Sequence, residues 1–117
     1  MGGIASTVSG EVCLLERLDA PGGTLRISVA DVSRVDAPGL VVADQQIALD
    51  EPLAAGAQVP FTLTVPAVES KASYIVQAHL DTTGSSTITP GDRISMRAYP
   101  VLTGGYPASV TIEVRTV

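Results

Sequence analysis

The sequence predicts an all-β fold, specifically an antiparallel β-sandwich of about seven strands. Three observations favour this class. Apolar and polar residues alternate through most of the chain, which is the pattern of half-buried strands, and no segment keeps the 3.6-residue apolar period of a helix. Clusters of turn residues separate the alternating segments. Each sheet would then have one apolar face to cover, which favours two packed layers, with a barrel as the alternative.

The length and composition of the chain favour one domain covering residues 1–117. A chain of 117 residues is within the usual size range of a compact domain, and an apolar fraction of 45% is enough to build one core. The sequence contains no internal repeat, no low-complexity tract and no interdomain linker. We therefore expect a single sandwich of the immunoglobulin or transthyretin type.

Three strands are predicted in the first half of the chain. The first runs from about Thr7 to Leu15 and is followed by the turn sequence DAPGG. The second begins at Thr24, and the third covers Leu40–Leu49. The residues of the third strand that the alternation directs toward the core are Val41, Ala43, Ile47 and Leu49.

Four further strands are predicted in the second half, with the sequences VPFTLTV, ASYIVQAHLD, RISMRAYPVL and ASVTIEVRTV. Pro60 lies in the first of them and has no backbone N–H, so it must occupy an edge strand or a non-pairing position. Between the second and third lies a long polar loop, TTGSSTITPGD, in which Pro90 and Gly91 suit the centre of a type II turn.

The charge and composition exclude several classes of partner. Seven Lys and Arg residues against twelve Asp and Glu give a net charge of −5, which opposes binding to nucleic acid. Aromatic residues make up only 3% of the chain, which weakens a sugar-stacking surface. No apolar run approaches the roughly 20 residues that span a bilayer, so we expect no membrane insertion. The start of the chain lacks an export signal, so either the protein stays in the cytoplasm, the default location, or a signal has been removed.

The segment DVSRVDAPG places Asp31, Ser33 and Asp36 close together and poses the question of a metal site. It lacks the alternating carboxylate spacing of a calcium loop, and no Glu follows at the matching distance. Asp and Ser side chains also bond to nearby backbone N–H groups, which stabilises turns. We therefore expect a structural corner and no metal site.

His79 is the only histidine, so nucleophilic catalysis would have to be built around it. Alternation puts His79 and Asp81 on the same polar face, but a solvated strand face gives the same pattern. No nucleophile turn such as G-x-S-x-G is present. We expect no enzyme, no catalytic residue and no cofactor, and we keep a hydrolase that uses His79 only as a distant alternative.

Four charged residues of the last two predicted strands share outward parity, namely Arg93, Arg97, Glu113 and Arg115. If these strands are neighbours, the residues form either a small basic patch or cross-strand ion pairs, and we favour ion pairs.

Two stretches of the sequence resemble one bacterial family. TVSGEVCLLERLDAPGGTLRISVADVSRVDAP and the later RAYPVLTGG are similar to the YbaY/YscW family of envelope lipoproteins. The resemblance implies a small β-sandwich that is lipid-anchored and faces the periplasm at the outer membrane. It also implies a non-enzymatic role, either as a pilotin that docks a segment of a secretin subunit or as a glycan-associated lipoprotein.

A protein partner therefore needs a docking surface, and the third strand suggests one. Leu40 and Val42 have outward parity beside polar neighbours, and Leu15 has outward parity at the end of the first strand. If the two strands lie close together, these three side chains form an apolar patch that takes a partner segment or a second copy of the chain.

Overall fold

All of the regular structure in the described part of the chain is β-strand, and the strands join into one continuous sheet. This computed structural model describes residues 4–18, 23–34, 39–84, 87–95 and 97–117. Within these ranges, no helix has the length and apolar character to span a bilayer. The predicted all-β class is confirmed.

Eight strands make up the sheet, one more than predicted. They are β1 Ile4–Leu14, β2 Gly23–Asp31, β3 Leu40–Leu49, β4 Gln58–Val68, β5 Tyr74–Asp81, β6 Arg93–Ser95, β7 Tyr99–Val101 and β8 Ser109–Thr116. The additional strand arises because the predicted RISMRAYPVL segment is divided. Both halves pair with β5, Arg93 opposite Leu80 and Val101 opposite Tyr74, and Arg97 and Ala98 between them belong to neither strand.

The order of the strands across the sheet is β3-β2-β5-β6-β8-β1-β4, and β7 pairs with β5 beside this path. All strand pairs are antiparallel except β1 and β8, which run parallel. The two edge strands, β3 and β4, approach each other, and the backbone N–H of Thr62 donates to Oε1 of Gln45 at 3.4 Å. The sheet is thus curled toward a barrel, the alternative to two separate layers.

The core lies on the inner face of this curled sheet and follows the predicted alternation. Fully buried side chains come from β1, β2, β4, β5, β7 and β8, and they include Val8, Val12, Leu25, Ile27, Val65, Val76, Leu80, Val101, Ile112 and Val114. Pro60 lies on β4, an edge strand as its missing N–H requires. The charged Arg93 was expected to face outward, but it is buried and donates to the carbonyl oxygens of Glu16 and Arg17.

The start of β3 corrects the predicted orientation of its side chains. Val29 of β2 faces Ala43, and Ala30 faces Val41, so Val42 is an extra residue in a β-bulge. The bulge reverses the alternation: Val42 is half-buried against the core, whereas Val41 is 57% exposed. The predictions that Val41 faces inward and Val42 outward are therefore wrong. Leu40 is exposed as predicted, and Ile47 and Leu49 contact the core.

Candidate functional site

The Asp31–Ser33 segment forms a corner of the backbone. The Asp31 carboxylate accepts hydrogen bonds from the Ser33 hydroxyl and, at 2.9 Å, from the Ser33 backbone N–H. These bonds hold the pKa of Asp31 below its usual range. The Ser33 hydroxyl in turn accepts the N–H of Ser73, which ties the corner to the start of β5. The expected structural role of this pair is confirmed, while Asp36 lies outside the described residues.

His79 does contact a carboxylate, but not the expected one. Its Nε2 lies 2.8 Å from Oδ2 of Asp92, a fully buried residue just before β6. Asp81 also lies close enough for the three side chains to form a cluster with metal-ligand chemistry. Sequence reasoning missed Asp92, because its proximity depends on the register that sets Ile94 opposite His79.

The oxygens of this cluster are already occupied by donors from the protein. Oδ1 of Asp92 accepts the N–H and hydroxyl of Thr82 at 2.9 and 2.7 Å, and Oδ2 accepts the N–H of Thr89 in addition to His79. Four hydrogen bonds fill the acceptor capacity of a carboxylate. Asp81 accepts the backbone N–H groups of Thr83 and Gly84. A metal ion would have to displace these hydrogen bonds, so the arrangement fits a structural role in holding the backbone in place.

The cluster fastens the 82–92 loop onto β5. The loop ends in a turn in which the N–H of Asp92 donates to the carbonyl of Thr89 at 3.0 Å. Gly91 has a φ of 95°, the value that the third position of a type II turn requires. The predicted Pro90-Gly91 turn is confirmed, and it places the Asp92 carboxylate next to His79.

Hydrogen bonding dominates the electrostatics of Asp92. Burial by itself would raise the pKa of the Asp92 carboxyl, since it disfavours the charged form. The hydrogen bonds from Thr82, His79 and Thr89 outweigh burial and hold this pKa well below its usual range. Asp92 is therefore ionised at neutral pH and cannot act as a proton donor.

A groove of about 580 Å³ lies beside this cluster, across the outer face of β3, β2, β5 and β6. Cross-strand pairing sets its floor, because Arg26 of β2 lies opposite both Gln46 of β3 and His79 of β5. Ser28 likewise lies opposite Asp44 and Gln77. The floor of this groove is thus polar. We call the whole depression the outer groove.

The rim of the outer groove is apolar. Val41 of β3 is 57% exposed, and Ile88 of the 82–92 loop is 56% exposed. Ile94 and Ala98 line the side formed by β6 and the residues after it. Leu40, next to Val41, is also exposed. Exposed apolar side chains that lie together next to polar groups are a common feature of interaction surfaces.

Cations line the outer groove more than anions do. Arg26 and Arg97 both contribute to its lining, and Asp44 is the single carboxylate among the described lining residues. A guanidinium nitrogen of Arg26 lies 3.5 Å from Asp81, and its buried Nε has no hydrogen-bond partner among the described residues. The guanidinium of Arg97 lies 5.1 Å from the centre of the Tyr99 ring, a cation–π distance.

The predicted patch of Leu15, Leu40 and Val42 does not form as one surface. Leu40 begins β3 opposite Asp31, while Leu49 at the other end of β3 lies opposite Gly23. The chain after Leu15 pairs with the segment beyond Leu49, through Leu18 and Leu53. Leu15 therefore lies toward the opposite end of β3 from Leu40, and Val42 packs inward.

Two comparisons with known proteins identify relatives. A family model described as "Type III secretion system lipoprotein chaperone (YscW)" matches residues 4–114. Among solved structures, the chain is similar to an alternative pilotin from the type II secretion system of Vibrio cholerae, with 25% sequence identity, a TM-score of 0.75 and coverage of 97% of each chain. No curated protein matches the chain in sequence.

Proposed function

Because the chain belongs to the YscW family of type III secretion lipoprotein chaperones, we propose that it docks a segment of a secretin subunit in its outer groove. The role is that of a non-enzymatic chaperone or pilotin at the bacterial outer membrane. The similar Vibrio cholerae structure is described as a pilotin, which supports the same class of partner.

The observation that carries the proposed site is the combination of side chains around the outer groove. Val41 and Ile88 expose apolar surface at its rim, while Ser28, Gln46 and Gln77 offer polar groups on its floor. A segment with one apolar and one polar face can satisfy both sets at once. Such a segment is what a chaperone must cover, because its apolar face would otherwise lead to aggregation in the free subunit.

The contacts of His79 also favour binding over catalysis. Its ring contacts a carboxylate whose other acceptor positions are filled by Thr82 and Thr89. The nearby hydroxyl of Ser95 accepts the backbone N–H of Ala78 at 3.2 Å. Both groups are thus used in holding β5, β6 and the 82–92 loop together.

Co-purification tests the proposed function. A tagged form of the chain is co-expressed with the full-length secretin subunit of the same organism, and we expect the subunit to be retained on affinity resin. The double variant Val41→Asp/Ile88→Asp should lose most of the retained secretin, because two charges replace the apolar rim.

Ile4→Asp is the matched control, since Ile4 is 82% exposed on β1 and does not line the outer groove. It should retain the secretin as the wild type does. If the wild-type chain retains no secretin, the proposed function is wrong. Equal loss in both variants would show that the outer groove is not the docking surface.

A further inference from the structure

Cationic side chains outnumber carboxylates in the lining of the outer groove, whereas the whole chain is acidic. The chain has a net charge of −5, yet two of its seven Lys and Arg residues line this one groove. Asp44 alone opposes them there, and Arg26 already has Asp81 beside it. Arg97 has no carboxylate within ion-pair distance among the described residues, and its guanidinium is stacked on Tyr99. The nearest influence of a carboxylate comes from Glu113, which attracts Arg97 from beyond that distance.

Arg97 is also positioned to meet a ligand. Tyr99 is buried, and its hydroxyl accepts the N–H of Glu113 at 3.0 Å, which fixes the ring on β7 against β8. Stacking on a fixed ring restricts the Arg97 side chain before any partner binds. A restricted guanidinium loses little conformational entropy when it pairs with a carboxylate.

The dimensions of the outer groove admit one segment of a partner. Its floor extends over four neighbouring strands, which are about 4.8 Å apart, so its width is about 14 Å. Val41 lies on one side of this floor, and Arg97 and Ala98 lie on the other. A segment that lies between them contacts the apolar side chain of Val41 on one side and the guanidinium of Arg97 on the other.

We propose that the outer groove selects its partner segment by a carboxylate. The segment carries an Asp or Glu side chain that pairs with Arg97, and its flanking apolar residues contact Val41 and Ile88. This inference rests on the proposed function and adds the chemistry by which the segment is recognised. The polar floor around Arg26 then accepts the remaining backbone or side-chain oxygens of the segment.

Peptide binding with charge reversal tests this inference. Overlapping 20-residue peptides that cover the secretin subunit are titrated by calorimetry into the purified chain. In the peptide that binds most tightly, each Asp and Glu is replaced in turn by its amide and by Lys. We expect one such replacement by the amide to weaken binding about tenfold, the scale of an interfacial ion pair.

The Arg97→Glu variant should bind the original peptide at least about tenfold more weakly than the wild-type chain does. The same variant should bind the peptide with the Lys replacement at least as tightly as it binds the original peptide. Lys71→Glu is the matched control, because Lys71 is exposed and lies outside the outer groove. It should change the affinity less than twofold. Arg97→Gln, which only removes the charge, should weaken binding while the melting temperature stays within a few degrees of the wild type.

Two results separate this inference from the proposed function. If a peptide binds but neither Arg97→Glu nor any carboxylate replacement changes its affinity, selection by a carboxylate is wrong and secretin docking stands. If the full-length secretin does not co-purify and no peptide binds, the proposed function fails, and the inference fails with it.

Discussion

Gly10 permits the single parallel strand pair of the sheet. It lies opposite Val110 of β8, and a Cβ atom added at this position would overlap the Val110 carbonyl oxygen. Alternation assigns Gly10 to the apolar side of β1 but does not explain why no side chain is present. The close approach of two backbones explains it, and it makes this position intolerant of any side chain.

Gly10→Ala is therefore expected to destabilise the protein by about 3 kcal/mol, because β1 and β8 must move apart. Urea unfolding followed by circular dichroism measures the loss. Ser9→Ala, next along β1, is the control and should change stability by less than about 1 kcal/mol. A Gly10→Ala variant as stable as the wild type would contradict the pairing of β1 with β8.

The lowered pKa of Asp92 predicts how the stability of the protein depends on pH. Its pKa is lowered in the folded protein, so the unfolded chain binds the proton more readily. The stabilisation is fully present above about pH 4, where the unfolded carboxyl is ionised, and it decreases as the pH falls below that value. Unfolding free energy measured by urea between pH 6 and pH 2.5 should decrease toward acid.

Asp92→Asn separates this effect from the other carboxyls whose pKa is lowered, Asp31 and Glu16. The variant should be less stable than the wild type at pH 6, because an amide accepts fewer of the four hydrogen bonds. Its stability should also decrease less between pH 6 and pH 2.5. An acid slope equal to that of the wild type would mean that Asp92 is not held by these bonds.

At the scale of the strands, alternation predicted where strands occur but not how they pair. The predicted bounds of the first five strands and of β8 are close to the observed bounds, because a half-buried strand needs an apolar residue at every second position. The bulge at Val42, the division of β6 from β7 and the parallel pairing of β1 with β8 were not predicted. Each depends on how a strand pairs with its partner, which the alternation within one strand does not specify.

The β3 bulge gives a prediction that distinguishes two neighbouring valines. Val42→Asp should destabilise the protein by about 2 kcal/mol, because it brings a charge against the core. Val41→Asp should cost less than about 1 kcal/mol, because the side chain is exposed at the rim of the outer groove. Thermal unfolding of both variants checks this. If Val41→Asp were the more destabilising variant, Val41 would face the core as simple alternation predicts, and the bulge at Val42 would be wrong.

At the scale of the whole molecule, the fold class could be predicted from the sequence and the docking surface could not. Arg26, Val41 and Arg97 are separated in sequence and meet only through the strand order β3-β2-β5-β6. Periodicity carries no information about that order. The predicted patch failed for this reason, since it assumed that the first and third strands are neighbours, whereas β2 pairs with β3 and β8 and β4 flank β1.

The outer groove as the docking surface is the central claim, and an NMR titration tests it most directly. The ¹⁵N-labelled chain is titrated with the tightest-binding secretin peptide, and changes in the backbone amide signals are mapped onto the sheet. The largest changes are predicted at Arg26, Ser28, Gln77 and Arg97, with little change at Thr64 on the far edge strand β4. Changes concentrated on β1, β4 and β8, with the outer groove unaffected, would contradict the account.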